Sequence, residues 1–402
     1  MRFVLRKETL FMILVAGRPV HGWMLTGITP RQTGSGRTSG IVYGRSLGSS
    51  STTWISRTTV KRRLSPHAVA TKGCLRMQVW SNPQAVKDYQ DLLDGKAPDE
   101  KDDGPSVIIG GGRLGTTLAR MGMGEDVIVG RGDPIPLTLS ASSGKGAGDE
   151  DLKEFPIYVC VPEREVAGVI DACPPEKHED LVFLQAGCLE PLLKSRGLCR
   201  PEMTQATLFL SIDKVGEAPK EYLTDIGLDT RGETKYAGET AVCGKWRGAL
   251  AQRLERSTFA LKCTKASRLA RAVFYLDWRR IMFEKLIFEC AVNAVGALHK
   301  FESVGFIIRY HTDEVVDMLL EMKNTLRGTL AVTLLNGYPE RLLAYGEASG
   351  DRPTRMNKEV FEWYNKFFWD MSQMGRGSTY GDPCPMHTEY LEYGLEKGLF
   401  EF

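Results

Sequence analysis

The chain has 402 residues, 42% of them hydrophobic, which is enough to build a sizeable core in two or three domains. Its net charge of +2 conceals an asymmetry, because residues 1–80 hold 13 Lys and Arg and a single acid, Glu8. The rest of the chain carries 39 basic and 49 acidic residues, which argues against a nucleic-acid partner. No apolar run is long enough to predict a membrane span.

Residues 1–80 have the composition of a targeting segment. They contain 18 Ser and Thr among scattered Arg, and the apolar run Leu10–Ala16 resembles a short signal-type core without a clear cleavage site after it. We expect an organelle address, plastid before mitochondrion; the alternative is a disordered arm with no address. Residues 81–105 then form an acidic linker rich in Pro and Gly.

A nucleotide-binding motif follows the linker. The apolar run Val107–Ile109 leads into Gly110-x-Gly112-x-x-Gly115, then a helical pattern and a second apolar run, Val127–Val129. In a dinucleotide-binding unit the first glycine allows a tight turn. The second lets the backbone approach the pyrophosphate, and the third lets the helix pack on the strand. The alternative is a glycine-rich turn that binds nothing.

The end of the second strand indicates which cofactor binds. NAD-type units place Asp or Glu there to bind the ribose 2′-OH, whereas NADP-type units place Arg. This chain has Arg131, and Asp133 lies two residues beyond. The pattern predicts NADP(H), held by the glycine turn with Arg113 and Leu114 and by Arg131. The alternative is that Arg131 only ends the strand.

Strands and helices alternate as far as residue 264. After a polar surface loop at 132–154, we predict strands at 155–161, 181–185, 207–212, 238–244 and 259–263, with helices at 163–172 and near 248–254. This alternation predicts a mostly parallel, doubly wound α/β sheet, and hence a Rossmann-type NADP-binding domain over residues 106–264.

The pattern becomes purely helical from residue 265. We predict helices at 267–298, at 313–326, at 357–374 and around 390–395. Residues 265–402 are therefore expected to form a helical substrate domain, which would also supply the contact of a homodimer. An aromatic stripe from Phe361 to Trp369 has helical spacing and indicates either core or a dimer face.

The nine cysteines favour a reducing compartment. None forms a CxxC pair, no His stands at ligand spacing from a Cys pair, and most, such as Cys160 and Cys290, lie in apolar runs. We expect neither a disulfide framework nor a metal site.

A polar strip crosses the first of the predicted C-terminal helices. Lys285, Glu289 and Asn293 follow one another at intervals of four, so they share one face of an otherwise apolar helix. Buried polar groups need partners, which favours a functional strip. The structural alternative is an ion pair between Lys285 and Glu289, with Asn293 capping or bridging between helices.

With these features the chain resembles the ketopantoate reductase (2-dehydropantoate 2-reductase) family over roughly residues 106–398. The resemblance implies NADPH-dependent reduction of a small carbonyl compound by an α/β domain joined to an all-α domain of the 6-phosphogluconate dehydrogenase C-terminal type. It implies that Lys285 protonates the nascent alkoxide and that Glu389 supports substrate and lysine. It also implies that Asn293 and Ser378 bind substrate.

The chain departs from the family at several substrate positions. Glu289 replaces the first asparagine of the helix motif, and we expect it to contact substrate. Ala186-Gly187 replaces an Asn-Gly pair, which leaves Gly187 as a cofactor contact, and Pro162-Glu163 stands where a lysine is expected. A carboxylate one turn from Lys285 would favour the charged ammonium; alternatively it could act with the lysine as a proton relay.

Two functions follow from these observations. The first is an NADPH-dependent reductase of a small 2-keto acid or related carbonyl, with Lys285 as proton donor. The second is a non-catalytic NADP(H)-binding sensor or scaffold protein, which the altered substrate positions motivate. A different dehydrogenase on the same two-domain plan, working in the oxidative direction, is the remaining alternative.

Overall fold

The fold centres on a seven-stranded sheet. The computed structural model describes residues 101–140, 152–222, 224–228, 234–237, 240–256, 271–272 and 275–401. The strands of the sheet are β1 (Val107–Ile109), β2 (Val127–Val129), β3 (Ile157–Val159), β4 (Leu181–Phe183), β5 (Thr204–Thr207), β10 (Ala241–Cys243) and β11 (Arg271–Ala272). Two small antiparallel pairs lie outside it: β6 (Leu210–Ser211) with β7 (Lys220–Glu221), and β8 (Thr224–Leu228) with β9 (Thr234–Ala237).

The strand order is β11-β10-β5-β4-β3-β1-β2. Strands β1 to β5 run parallel, β10 is antiparallel to β5, and β11 is parallel to β10. The chain adds β2 on one side of β1 and β3 on the other, so the strand order reverses between β1 and β3. Open parallel sheets bind ligands at the carboxyl ends of strands at such a point. The predicted mostly parallel, doubly wound sheet is confirmed.

Helices connect the strands and then form the rest of the described chain. They are α1 (Arg113–Met121), α2 (Glu163–Ala172), α3 (Glu190–Ser195), α4 (Arg247–Glu255), α5 (Tyr275–Leu298), α6 (Val304–Tyr310), α7 (Thr312–Leu330), α8 (Tyr338–Ala348), α9 (Lys358–Val360), α10 (Lys366–Arg376) and α11 (Pro385–Glu396). A single π turn, Phe361–Asn365, joins α9 to α10. The predicted all-helical C-terminal part is confirmed from residue 275 onward.

Alternate strand residues build two cores, one on each face of the sheet. In β1, Val107 and Ile109 belong to one core, while Ile108 belongs to the other. A third core lies among the helices and includes Ala241 and Cys243 of β10, so α5 packs directly against the sheet. All described residues fall within one compact unit, Gly73–Phe402. The domain boundary between residues 264 and 265 therefore stays a prediction from the sequence.

Several predicted elements are placed differently in the structure. The strand predicted at 207–212 is wrong, because the sheet strand is β5 at Thr204–Thr207 and the chain then leaves the sheet as β6. The helix predicted from residue 267 begins only at Tyr275, since Arg271–Ala272 pairs with β10 instead. Helices α3, α6 and α8 were not predicted at all. In contrast, β1, β2 and α2 have the predicted bounds.

Other predictions lie outside the described residues. These are the leader at 1–80, most of the linker at 81–105, and the strand at 259–263. Among the described helices, none combines the length and the apolar character that crossing a bilayer requires. No disulfide joins the described cysteines.

Candidate functional site

The glycine turn between β1 and α1 lies at the point where the strand order reverses. Gly110 has φ +100°, a left-handed conformation that favours glycine, and a Cβ there would lie 2.9 Å from the Cys160 carbonyl oxygen. A Cβ on Gly115 would lie 1.9 Å from the Gly110 carbonyl oxygen. Both positions therefore require glycine, one for the turn itself and one for the close packing of α1.

Gly112 differs from the other two glycines because it has room around it. It is the N-cap of α1, and nothing among the described residues lies within 4 Å of the point that a Cβ would occupy. The first N–H groups of a helix have no partner within the helix, and they face this space. A bare helix N-terminus beside an exposed backbone fits a pyrophosphate, since both the N–H groups and the helix dipole favour an anion.

The other predicted cofactor residues surround this turn. Leu114 is half-buried against the core, and the exposed Arg113 donates a hydrogen bond to the Ile212 carbonyl oxygen at 3.0 Å. Arg131 follows β2, has 84% of its side chain exposed, and forms an ion pair with Glu165 of α2 at 2.6 Å. The Asp133 carboxylate accepts a hydrogen bond from the Gly130 N–H. Arg131 thus presents a cation at the strand end where a 2′-phosphate would lie.

Gly187 lies against the π turn rather than in open space. A Cβ on Gly187 would lie 2.8 Å from Trp363 Cβ, and the neighbouring Cys188 N–H donates to the Trp363 carbonyl oxygen at 2.7 Å. Glycine is required here for the close approach of two chain segments. Its predicted cofactor contact stays a prediction.

Lys285 is a buried lysine on α5. Its ammonium donates to the Leu208 carbonyl oxygen and lies 4.9 Å from the centre of the Phe209 ring. Burial lowers the pKa of Lys285 to about 8; Glu289 and Glu163 act against this shift, and Arg352 acts with it. The lysine can therefore hold a proton at neutral pH and release it without a large energetic cost.

Glu289 pairs with an arginine rather than with Lys285. Its carboxylate accepts hydrogen bonds from Arg352 Nη1 at 3.0 and 3.3 Å. The sequence suggested that Glu289 would favour the charged form of Lys285. Arg352 offsets this effect, because its positive charge acts on Lys285 in the opposite direction. Burial therefore decides the direction of the lysine's pKa shift.

Arg352 is a residue that the sequence did not indicate. Its Nε and Nη2 atoms are buried, and within the described residues they have no hydrogen-bond partner. Buried donors of this kind are rare and call for an explanation, such as a ligand. A guanidinium presents such donors in a fork that matches a carboxylate. Tyr345 and Tyr364 lie near the same charges, and burial raises the pKa of both phenols.

Asn293 has both ends of its amide occupied. Its Nδ2 donates to the Glu289 carbonyl oxygen at 2.8 Å, and its Oδ1 accepts from the Arg355 N–H at 2.8 Å. The side chain therefore bridges α5 to the segment before α9, which is the structural alternative that the sequence left open. Its substrate contact stays a prediction.

Neither Ser378 nor Glu389 is among the described partners of Lys285. Glu389 is exposed on α11, and the charges that act on Lys285 come from Glu289, Arg352 and Glu163 instead. The exposed Ser378 donates to the Gly375 carbonyl oxygen. It lines a groove of about 820 Å³ that Lys285 does not line. Both predicted roles stay predictions without a contact to support them.

Helix α11 has its own polar cap. The Glu321 carboxylate accepts hydrogen bonds from the Met386 and His387 N–H groups, so it caps the amino end of α11. His387 lies at the amino end of the same helix. It is fully buried, with Nε2 3.0 Å from Asn365 Oδ1, and burial lowers its pKa to about 3.

Comparisons with known proteins give a likeness in structure only. The sequence matches no known protein family and no curated protein. The chain is similar to 2-dehydropantoate 2-reductase from Methylococcus capsulatus, with 14% identity, a TM-score of 0.44, and 74% of this chain and 98% of that one covered. It is also similar to a dimeric ketopantoate reductase from Staphylococcus aureus, with 16% identity, a TM-score of 0.42, and 73% of this chain and 100% of that one covered. A third similar structure is D-mandelate dehydrogenase with NADH and anilino(oxo)acetate, with 12% identity, a TM-score of 0.41, and 74% of this chain and 99% of that one covered. A likeness at this level of identity and TM-score assigns no function to the chain.

Proposed function

We propose that the protein is an NADP(H)-dependent oxidoreductase that reduces a small 2-keto acid or related carbonyl, with Lys285 as the proton donor. The observation that carries this proposal is a buried lysine whose pKa is lowered to about 8, in a chain whose glycine turn lies at the switch point of a doubly wound sheet. A bound nicotinamide would supply the hydride to the carbonyl carbon. The carbonyl oxygen then takes the Lys285 proton, and the product is a 2-hydroxy acid.

Arg352 indicates the substrate class. Its two buried donors without a partner would bind the carboxylate of a 2-keto acid, while Glu289 holds the guanidinium through Nη1. Arg352 and Lys285 would then bind opposite ends of one small substrate. A carbonyl compound without a carboxylate would leave the two donors unpaired, at a cost of about 1–3 kcal/mol.

Replacing Arg352 with glutamine is expected to raise KM for a 2-keto acid by about tenfold or more, because a charge-assisted hydrogen bond is lost. KM for the matching aldehyde or ketone without a carboxylate should change little. Steady-state rates with NADPH on such pairs of substrates measure the effect. Arg355→Gln is the matched control, since Arg355 is exposed and only its backbone N–H contacts the site. An equal rise in KM for both substrates would rule out a carboxylate contact.

The choice of NADP(H) over NAD(H) rests on Arg131. Its ion pair with Glu165 is exposed, so a 2′-phosphate could displace the carboxylate at little cost. Arg131→Ala is expected to raise the Kd of NADPH by about tenfold and to leave the Kd of NADH unchanged. Glu165→Gln should act in the opposite direction by freeing the guanidinium. Quenching of intrinsic fluorescence gives both constants, and parallel changes for the two cofactors would exclude this role of Arg131.

Two further parts of the proposal concern assembly and address. We propose a homodimer through the helical part and an organelle location, plastid before mitochondrion, on the composition of residues 1–80.

The competing function is a non-catalytic NADP(H)-binding sensor or scaffold. It gains weight from the exposed position of Glu389, which leaves Lys285 without the expected second carboxyl group. Binding of NADPH without turnover of any 2-keto acid would favour it.

A further inference from the structure

Two histidines and a glutamate meet where three helices of the C-terminal part approach one another. His299 directly follows α5, His311 lies between α6 and α7, and Glu314 is in the first turn of α7. One ligand atom from each side chain lies within 4.8 Å of the others. The three residues play no part in the carbonyl reduction proposed above, so the cluster needs a separate account.

Both imidazoles face the same carboxylate oxygen. His299 Nε2 lies 3.1 Å and His311 Nδ1 lies 2.9 Å from Glu314 Oε1, and the two rings stack with centres 3.4 Å apart. Neutral imidazole nitrogens and a carboxylate oxygen are the donor set of three-ligand zinc sites.

The spacing of the three atoms fits one small cation. Bonds of about 2.0–2.1 Å in a tetrahedral arrangement place neighbouring ligand atoms about 3.3 Å apart. The two measured separations fall within a few tenths of an ångström of that value. A turn of one of the two stacked rings would aim both nitrogens at one ion between the three atoms.

The surroundings of the cluster also suit a metal. Tyr390 of α11 donates to the other oxygen of Glu314 at 2.8 Å, and ligating carboxylates are commonly oriented by such a second hydrogen bond. The three side chains are each about a fifth to a third exposed. Tyr310 and Thr312, the neighbours of His311, line a cavity of about 830 Å³ that is open to solvent. None of the three ligands lines this cavity, so their own partial exposure gives an ion its path from solvent.

We propose that His299, His311 and Glu314 bind a divalent transition-metal ion, Zn²⁺ by its donor set, with a fourth position open to solvent. Such an ion would tie the end of α5 to the start of α7, and through Tyr390 to α11. It would act at a distance from Lys285, as a stabilising centre of the helical part.

The test uses the full chain, first stripped with a chelator and then dialysed against Zn²⁺ or titrated with Co²⁺. We expect about one Zn²⁺ per chain by elemental analysis and a visible Co²⁺ absorption band typical of four-coordination. We also expect a higher Tm with Zn²⁺ than without, because an ion that binds only the folded chain stabilises it. His299→Ala, His311→Ala and Glu314→Gln should each lose the band and the rise in Tm.

His178→Ala is the matched control, because its Nε2 contacts two backbone carbonyl oxygens near α2. This variant should keep both the band and the rise in Tm. The proposal is overturned if the parent chain binds no stoichiometric metal. It is equally overturned if the three variants keep the band, since the metal then lies elsewhere, for example on cysteines. The melting temperature of each variant without metal shows whether it is folded, and Glu314→Gln retains the size of the native side chain and one of its two acceptor oxygens.

Discussion

Replacing Lys285 with methionine is expected to lower kcat for carbonyl reduction by about 10²–10⁴-fold. Methionine keeps the apolar stem but cannot donate a proton to the oxygen that becomes an alkoxide. The Kd of NADPH should stay within about twofold of the parent value, because no cofactor-binding role is assigned to Lys285. Lys358→Met, which removes an exposed lysine before the π turn, serves as the control and should keep the parent rate. A Lys285→Met variant with the parental kcat would show that Lys285 is not the proton donor.

The pH dependence follows from the same lysine. The donor is the ammonium form, and its pKa is lowered to about 8 by burial. The rate of reduction should therefore be constant below that pH and fall as pH rises through it. In the oxidative direction the neutral amine is required, so that rate should rise over the same interval. The log kcat profile of Lys285→Met should be flat in this range.

The contribution of Lys285 to the free energy of unfolding should rise with pH, in the opposite direction to the rate of reduction. Between pH 8 and 10.5 the unfolded lysine binds a proton that the folded one has released, so its contribution to the free energy of unfolding rises with pH. Below pH 8 the buried ammonium lowers the free energy of unfolding by about 3 kcal/mol, because the folded chain binds this proton more weakly than the unfolded chain does. The advantage of Lys285→Met in denaturant unfolding should thus be largest at neutral pH and shrink toward pH 10.

Replacing Arg253 with methionine is expected to lower the free energy of unfolding by about 3–5 kcal/mol, because it leaves Asp126 without its counter-ion and Asp103 with Arg256 alone. Arg253 of α4 is fully buried and bonds to Asp103 and Asp126 at 2.8–3.2 Å. It also donates to Ser106 Oγ and the Gly104 carbonyl oxygen. Asp126 in turn accepts from both the N–H and the hydroxyl of Ser106.

This network fixes the amino ends of β1 and β2 to each other. Ser106 precedes β1 and Asp126 precedes β2, so loss of Arg253 should also weaken cofactor binding at the opposite ends of those strands. Urea unfolding measures the loss. Arg196→Met is the control, because its ion pair with Asp171 is exposed and worth at most about 1 kcal/mol. A loss for Arg253→Met no larger than for this control would contradict the structural role given to the cluster.

The first half of the sheet could be predicted because its signals are local. Each glycine of the fingerprint performs its task within a few residues, and the two apolar runs flank it directly. The predicted bounds of β1, β2 and α2 therefore agree with the structure. The shifted strand near residue 207 shows the limit of this approach, since an apolar run can leave the sheet and form a separate small hairpin, β6 with β7.

The surroundings of Lys285 could not be predicted because their contacts join distant segments. The sequence could not decide how Glu289 would affect Lys285, since the answer depends on Arg352, which lies 63 residues further along the chain. The same holds for Arg253, whose partners lie about 130–150 residues away. His299 and Glu314 were overlooked because a search for Cys pairs does not find ligands contributed by separate helices.

The proposed reaction is the transfer of a hydride from NADPH and of a proton from Lys285 to a 2-keto acid. Its most direct test is a single turnover with NADPH carrying deuterium at C4 of the nicotinamide and a panel of small 2-keto acids. We expect one deuterium on C2 of the 2-hydroxy acid by mass spectrometry, faster with NADPH than with NADH, and a strongly reduced rate for Lys285→Met. Tight binding of NADPH with no labelled product from any member of the panel would contradict the claim and leave a cofactor-binding protein without catalysis.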